Sequence, residues 1–147
     1  MEYIVKKFND LSLEELYEIL KIRCAVFVVE QNCPYQDIDE LDKNSYHICI
    51  KEDNKVVAYC RVIDKNNPFH EVSIGRVISV VRRKGYGTLL VQKGIDIAKE
   101  KYNANKIIIE AQTYARRLYE KVGFKQISEP FLEDGIEHIK MCYEKGE

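Results

Sequence analysis

Along this chain the spacing of apolar residues switches between period two and period 3.6, and each switch marks a boundary. Residues 2–8 alternate as a strand does. Ser12-Leu13-Glu14-Glu15 is a capping box, with Ser12 as cap and Glu15 reaching back. Leu13, Leu16, Tyr17, Leu20 and Cys24 then predict one face of an amphipathic helix. Residues 25–29, Ala-Val-Phe-Val-Val, are mostly β-branched, which favours partly extended backbone. Residues 46–51 and 56–63 alternate again, joined by the tight-turn sequence Glu52-Asp53-Asn54-Lys55. A turn around Asn67-Pro68 leads into a third strand, residues 72–81. Links this short predict an antiparallel meander.

Further on, Leu90, Gly94, Ile97 and Ala98 give residues 88–101 a helical apolar stripe, which Asn103-Ala104-Asn105 ends. Ile107-Ile108-Ile109 is a continuous apolar run, as in a strand covered on both faces. A strand, a helix and a strand in that order predict that residues 72–81 and 106–111 lie parallel. Ala115, Leu118, Tyr119 and Val122 share one face of a short helix that Gly123 stops. Two last strands, at residues 125–127 and 136–143, are separated by a link ending in Asp134-Gly135. No repeat or linker divides residues 1–147, so a single α/β domain is predicted.

Composition changes this picture little. Hydrophobic residues make up 46% and charged residues 32%, and the net charge of −1 offers no general attraction to nucleic acid or an anionic membrane. No apolar run approaches the roughly 18 residues of a membrane helix, and no leader-like core follows Met1, so a cytoplasmic location is expected. The five cysteines are scattered without a Cys-x-x-Cys pair, which argues against a disulfide framework and a zinc site. Cys24, Cys49, Cys60 and Cys142 fall inside periodic segments and are predicted to be buried; Cys33 sits in a Gln-Asn-Cys-Pro loop. The three histidines are too dispersed to predict a metal. Residues 30–43 form an irregular loop with five acidic residues and one lysine, which reads as a solvated face or as a wall attracting a cationic amine.

One stretch concentrates chemistry. Arg82-Arg83-Lys84-Gly85-Tyr86-Gly87-Thr88 lies where the third strand turns into the long helix. The first N–H groups of a helix lack intrahelical partners and sit at its positive end. Glycines let the backbone approach a ligand, and three cations suit a phosphate or diphosphate. A third glycine, needed for a dinucleotide fingerprint, is missing, and no Gly-Lys-Ser/Thr closes a P-loop.

Arg82-x-x-Gly85-x-Gly87 resembles the acyl-CoA pyrophosphate loop of the GNAT acetyltransferases. About thirty residues later, Ala115-x-x-Leu118-Tyr119-x-x-x-Gly123-Phe124 looks like a second element of that superfamily, with Gln112 where many members have Asn. Nearly the whole chain is similar to the ElaA-like branch, through Arg23-x-x-Val26-Phe27-Val28-x-Glu30-Gln31, His47, Gly75-Arg76-Val77, Ala111-Gln112-Thr113 and Phe131-x-Glu133-Asp134-Gly135-Ile136-x-His138-x-x-Met141. Glu137 departs from it, since that branch usually has proline there.

The resemblance implies the GNAT acyl-CoA N-acyltransferase fold, a mixed six- to seven-stranded sheet flanked by about four helices. It implies acetyl-CoA as cosubstrate, no metal, a small amine as acceptor, and direct transfer in a ternary complex. The backbone from Arg83 to Thr88, with Arg82 beside it, would hold the diphosphate. Ile78 and Val80 would use unpaired backbone groups on pantetheine, one N–H polarising the thioester carbonyl, and Gln112 would bond the same chain. Tyr119 would give the leaving thiolate its proton as general acid. Glu30, Glu71, Glu110 and His138 are the candidates for the base, Glu30 and His138 foremost, while His47 reads as structural. Dimers are common in the family, though no residue here requires one. A non-catalytic acyl-CoA sensor is the rival reading, and a small nucleotide-binding domain a third; neither explains why Tyr119 stands in that motif.

Overall fold

A computed structural model describes residues 1–81 and 84–146. Its strands form two sheets. β1 (Glu2–Lys7), β2 (Ser45–Glu52), β3 (Lys55–Ile63) and β4 (Ser73–Ser79) make an antiparallel sheet in that order. β5 (Lys106–Gln112) pairs antiparallel with β8 (Ile136–Glu144), which also takes β6 (Lys125–Gln126) and β7 (Phe131–Glu133). α1 (Leu13–Arg23) follows β1, α2 (Tyr86–Tyr102) joins β4 to β5, and α3 (Arg116–Lys121) follows β5. The predicted fold class holds, with eight strands in two sheets and three α-helices among the described residues, where one sheet of six or seven strands and about four helices was expected.

Local chemistry accounts for most of these elements. Ser12 Oγ accepts from the Glu15 N–H and Glu15 Oε1 accepts from the Ser12 N–H, so the capping box forms as expected. Asp53 and Asn54 take positive φ values of 49° and 63° in the β2–β3 turn, and Asp134 and Gly135 take 51° and 77° between β7 and β8. Two such residues in a row twist a hairpin in the sense its strands need. That last hairpin closes with Glu137 opposite Leu132, so the absence of proline does not open it.

The first sheet is covered on both faces. Ile48 and Ile50 of β2 and Ala58, Cys60 and Val62 of β3 pack against the α2 side with Leu90, Val91, Ile95 and Ala98. Cys49, Tyr59 and Ile78 face the other way, onto Ile19 of α1 and its neighbours Ile22, Val26 and Phe27. Here the sequence expectation fails. Leu13 and Tyr17 are exposed, at 86% and 74%, and so is Cys24. The buried stripe is Ile19, Ile22, Arg23, Val26 and Phe27, at the same helical spacing but with an arginine in its middle, which a polarity pattern reads as surface. Residues 25–29 are not extended either. Cys24–Glu30 continues α1 as a π-turn, with the Gln31 N–H donating to Val26 O and the Cys33 N–H to Val28 O.

Arg23 is fully buried because residues 37–42 bring it partners. Its Nε donates to Asp37 at 2.9 Å and its Nη1 to Asp42 at 2.7 Å. Arg61 of β3 donates to Asp39 at 2.6 and 2.7 Å and to the same Asp42 oxygen at 2.9 Å. Arg76 of β4 pairs with Asp37 and Asp39. Three aspartates of the acidic loop therefore meet three arginines from three elements, and Glu40 pairs with Lys43. Asp37, Asp39, Glu40 and Asp42 are thus all paired, which leaves these four little charge with which to attract a cationic acceptor. His47 is structural as predicted: it is buried between the Tyr59 hydroxyl (2.7 Å) and Asp42 O (2.9 Å), and burial holds its pKa down.

Removing one member of this cluster strands its partners in the interior, which costs about 3–5 kcal/mol. Asp42→Asn is expected to lower the denaturant midpoint accordingly with an unchanged m-value. Burial pushes the Asp39 and Asp42 carboxyls up, but their arginines outweigh it and bring Asp39 to about 2 and Asp42 below its ordinary value. Folded values below the ordinary 3.8 mean this stabilisation is complete above that pH. Melting temperatures recorded from pH 5 downward are expected to fall through the interval from about 4 to 2.

Candidate active site

β4 and β5 run parallel but touch at one bridge, Val72 with Ile107, where the Ile108 N–H donates to Val72 O at 3.0 Å. Beyond it the strands part, and no ladder joins them among the described residues. A bulge marks the parting. Gly75 lies opposite Arg61 and Ile78 opposite Tyr59, so Arg76 and Val77 share the single residue Cys60. Arg76 has φ +52°, strained for a side chain of its size, and its guanidinium is held by Asp37, Asp39 and the Tyr35 ring, 5.5 Å away.

The bulge decides which backbone groups face the gap. The Val80 N–H donates to Val57 O at 2.8 Å and so faces β3. Ile78, opposite Tyr59, is two residues away in the same ladder and has the same orientation. Ile78 and Val80 therefore do not supply the free groups expected of them; the alternation turns the N–H and C=O of Val77 toward β5 instead. The resemblance implies a bulged, splayed strand here; the position of the extra residue, at Arg76, is what shifts the parity from Ile78 and Val80 to Val77.

The parted strands frame a cleft of about 560 Å³, reached by Val77 and Ile78 of β4, Gly87 of α2, Gln112 of β5 and Tyr119 of α3. Gly85 caps α2 in the left-handed conformation, φ +74°, which a glycine adopts without strain. The Leu89 N–H makes the first bond of that helix, to Gly85 O at 3.2 Å. The N–H groups of Tyr86, Gly87 and Thr88 thus have no intrahelical acceptor, and among the described residues no side chain caps them. Gly87 serves packing as well as approach: a Cβ there would lie 2.7 Å from Leu118 Cδ1 of α3. Lys84 is exposed beside this turn, and the expected contributions of Arg82 and Arg83 lie outside the described residues.

Tyr119 is 8% exposed, stands edge-on to Phe124 at 5.8 Å, and has its phenol pushed up by burial. Gly123, at φ +107°, ends α3 and lets the Phe124 N–H fold back onto Tyr119 O at 3.0 Å. This is the physical content of the Leu-Tyr-x-x-x-Gly-Phe motif. Gln112 exchanges two 3.2 Å amide hydrogen bonds with Gln31, tying the π-turn to the end of β5. Cys33, buried, donates to Asp134 O at 3.4 Å on the same side of the cleft.

Of the carboxylates and histidines considered as bases, Glu110 and His138 line the cleft, whereas Glu30 is exposed at the end of the π-turn and neither it nor Glu71 lines the cleft. Glu110 and Gln112 share the face of β5 that looks into the gap, opposite Lys140 and His138 of β8. Burial pushes the Glu110 carboxyl up to about 7, reinforced by a hydrogen bond to Glu133 and opposed by Lys140. His138 Nδ1 donates to Ile136 O at 2.7 Å, its ring stacks on Phe131, and its Nε2 lies 3.9 Å from Glu133. Glu133 and Val77 stand in stretches that carry the resemblance, but neither was assigned a chemical role from the sequence. The i, i+2 pair Glu110 and Gln112 on an otherwise apolar strand was the signal for the first of these clusters.

The chain is similar to known proteins over nearly its whole length. The acetyltransferase (GNAT) domain family matches residues 8–145. The chain is 40% identical to a UPF0039 protein of Schizosaccharomyces pombe over 148 residues, 98% of this chain and 97% of that one. It is 38% identical to Protein ElaA of Escherichia coli over 140 residues, 92% of each. The crystal structure of E. coli ElaA superposes with a TM-score of 0.90 at 36% identity, covering 97% of this chain and 99% of that one. An acyl-CoA N-acyltransferase from Pseudomonas aeruginosa does so with the same score and coverage at 35% identity. This chain belongs to the GNAT acetyltransferase family, in its ElaA-like branch.

Proposed function

We propose that this protein transfers an acetyl group from acetyl-CoA to the primary amine of a small molecule, by direct attack in a ternary complex. The observation that carries the reading is the parting of β4 and β5 after Val72 and Ile107, which leaves Val77 facing a cleft shared by Gly87 and Tyr119. The similarity to a P. aeruginosa protein described as an acyl-CoA N-acyltransferase supports acyl-CoA as donor.

The residues present fit that donor. The unpartnered N–H groups of Tyr86, Gly87 and Thr88 would hold its diphosphate at the positive end of α2, and the neighbouring lysine would add charge. Val77 would pair with the pantetheine amides in place of the strand partner that β4 lacks, and its N–H would polarise the thioester carbonyl. Gln112 would bond the same arm after releasing Gln31. Tyr119 stays protonated at neutral pH because burial disfavours its phenolate. As the amine nitrogen bonds the carbonyl carbon and the carbon–sulfur bond breaks, Tyr119 gives its proton to sulfur. A second proton from the newly acylated nitrogen then restores the phenol.

Free-thiol release from acetyl-CoA, measured against aliphatic amines, polyamines, amino acids and short peptides, tests the reading. Amine-dependent release is expected from at least one class. Tight acetyl-CoA binding without it across the panel would make the protein an acyl-CoA-binding module, and absence of acetyl-CoA binding would sink both. With a reactive amine, Tyr119→Phe is expected to lower kcat about 100-fold while the Kd for acetyl-CoA stays within about twofold. Unchanged turnover would remove Tyr119 from the chemistry.

A further inference from the structure

Resting on the acyl-transfer reading, we infer that Glu110 and Glu133 form a carboxyl pair that docks the acceptor as its ammonium ion, with Glu110 taking the proton and Glu133 passing it to solvent. The argument starts from position. Glu110 is two residues before Gln112, on the same face of β5, and lines the cleft that Tyr119 and Gly87 also reach. It is half-buried, it shares the cleft wall with Glu133, and that neighbouring carboxyl pushes its own up. Two carboxyls on one cleft wall tend to share one proton, because neighbouring like charges cannot both ionise cheaply. The pair in its half-charged state is a proton acceptor poised near neutrality, which is what a base for an amine requires.

The groups around it assign the roles. Lys140 of β8 lies opposite Glu110 in register, and its ammonium sits 5.8 Å from the Phe69 ring centroid. His138 of β8 has its Nδ1 committed to Ile136 O, so its Nε2 can support only Glu133. Arg76 of β4 is paired with Asp37 and Asp39, and Arg61 of β3 with Asp39 and Asp42. Glu133 has half its side chain exposed on the β7 hairpin, giving the proton a way out that Glu110 lacks. An acceptor ammonium gives one proton to the Glu110 carboxylate; the freed lone pair bonds the thioester carbon. The second nitrogen proton goes to Tyr119 after Tyr119 has protonated sulfur. The net products are amide, thiol and one proton leaving through Glu133. The acceptor class that follows is a primary amine protonated at neutral pH, and the carboxyl pair takes over the attraction that the paired carboxylates of residues 37–42 do not supply.

Two measurements test this on the intact chain. In protein labelled with 13C at glutamate carboxyls, the signal lost in Glu110→Gln is expected to titrate near pH 7 in the wild type and at lower pH in Glu133→Gln. A Glu110 signal titrating in the ordinary carboxylate range, or unmoved by Glu133→Gln, overturns the pairing. In thiol-release assays with the fastest panel amine, kcat/KM for the amine is expected to rise through about pH 7 and fall above the amine's own pKa. Glu110→Gln is expected to lose the acid limb and about 100-fold in rate at pH 7, with the acetyl-CoA Kd unchanged. Glu133→Gln is expected to move that limb to lower pH and to raise the KM for the amine, since the ammonium loses half of its docking pair. A wild-type profile in Glu110→Gln overturns its role as base. Failure of the wild type to bind acetyl-CoA would instead strike the acyl-transfer reading, leaving the titration to decide the pair.

Discussion

Two parallel strands that begin to pair and then stop are the constraint from which the rest of this structure follows. A ladder running past Val72 and Ile107 would consume the backbone groups of β4 and close the gap to Gln112. Parallel strands in an α/β fold are normally buried along their whole length, because an unpaired edge in the interior leaves polar groups unsatisfied. Here the edge is left open at the C-terminal ends of the strands, directly beside the N-terminus of α2. Three helix N–H groups and the inner edge of β4 are therefore left short of partners on the same side of the molecule. A long ligand carrying amides and a diphosphate supplies acceptors for both at once.

What keeps the strands apart is itself costly, and the buried ion cluster supplies the compensation. The bulge at Arg76 needs a positive φ on a large side chain, worth of order 1–3 kcal/mol of strain. Its guanidinium is fixed from outside the strand by Asp37 and Asp39, which are in turn fixed by Arg23 and Arg61. Asp42 binds two arginines through one oxygen, so the end of α1, the loop and β3 are tied at a single point. Packing on the far side acts in the same sense. Gly87 admits Leu118 so closely that α2 and α3 cannot slide independently, and Tyr119 is held one residue away from that contact.

How much of this could be read from the chain depended on whether a feature was local. The Ser12–Glu15 capping box, the Asp53-Asn54 and Asp134-Gly135 turns, and the glycine start of α2 are decided within four residues, and each stands as expected. The meander followed from turn length, and the continuous apolar run of β5 from burial on both faces. Features decided at long range were not legible. The buried face of α1 runs through Arg23, whose partners lie 14 and 19 residues away. The acidity of residues 37–42 looked like surface charge because Arg61 and Arg76 are far off in sequence. The bulge on β4 moved the free groups from Ile78 and Val80 to Val77, since one extra residue inverts a period of two. Glu133, quoted only as part of the resemblance, gained a role when β7, three residues long, brought it to the cleft that Glu110 lines.

The same low-dielectric cleft explains why the groups on its two walls lean in one direction. Burial raises both the Tyr119 phenol and the Glu110 carboxyl, because each would have to carry negative charge away from water. The arginines that could relieve them are already committed to Asp37, Asp39 and Asp42. That sequestration matters for chemistry. An unpaired guanidinium beside Glu110 would stabilise its carboxylate and drop its pKa well below neutrality, leaving too weak a base for an ammonium ion. Binding the three arginines within the wall keeps their guanidiniums off Glu110, so that among the described residues Lys140 is the cation that opposes its proton affinity. The ion cluster thus shapes the backbone edge for the donor and, by occupying its own arginines, preserves the basicity that an amine acceptor demands.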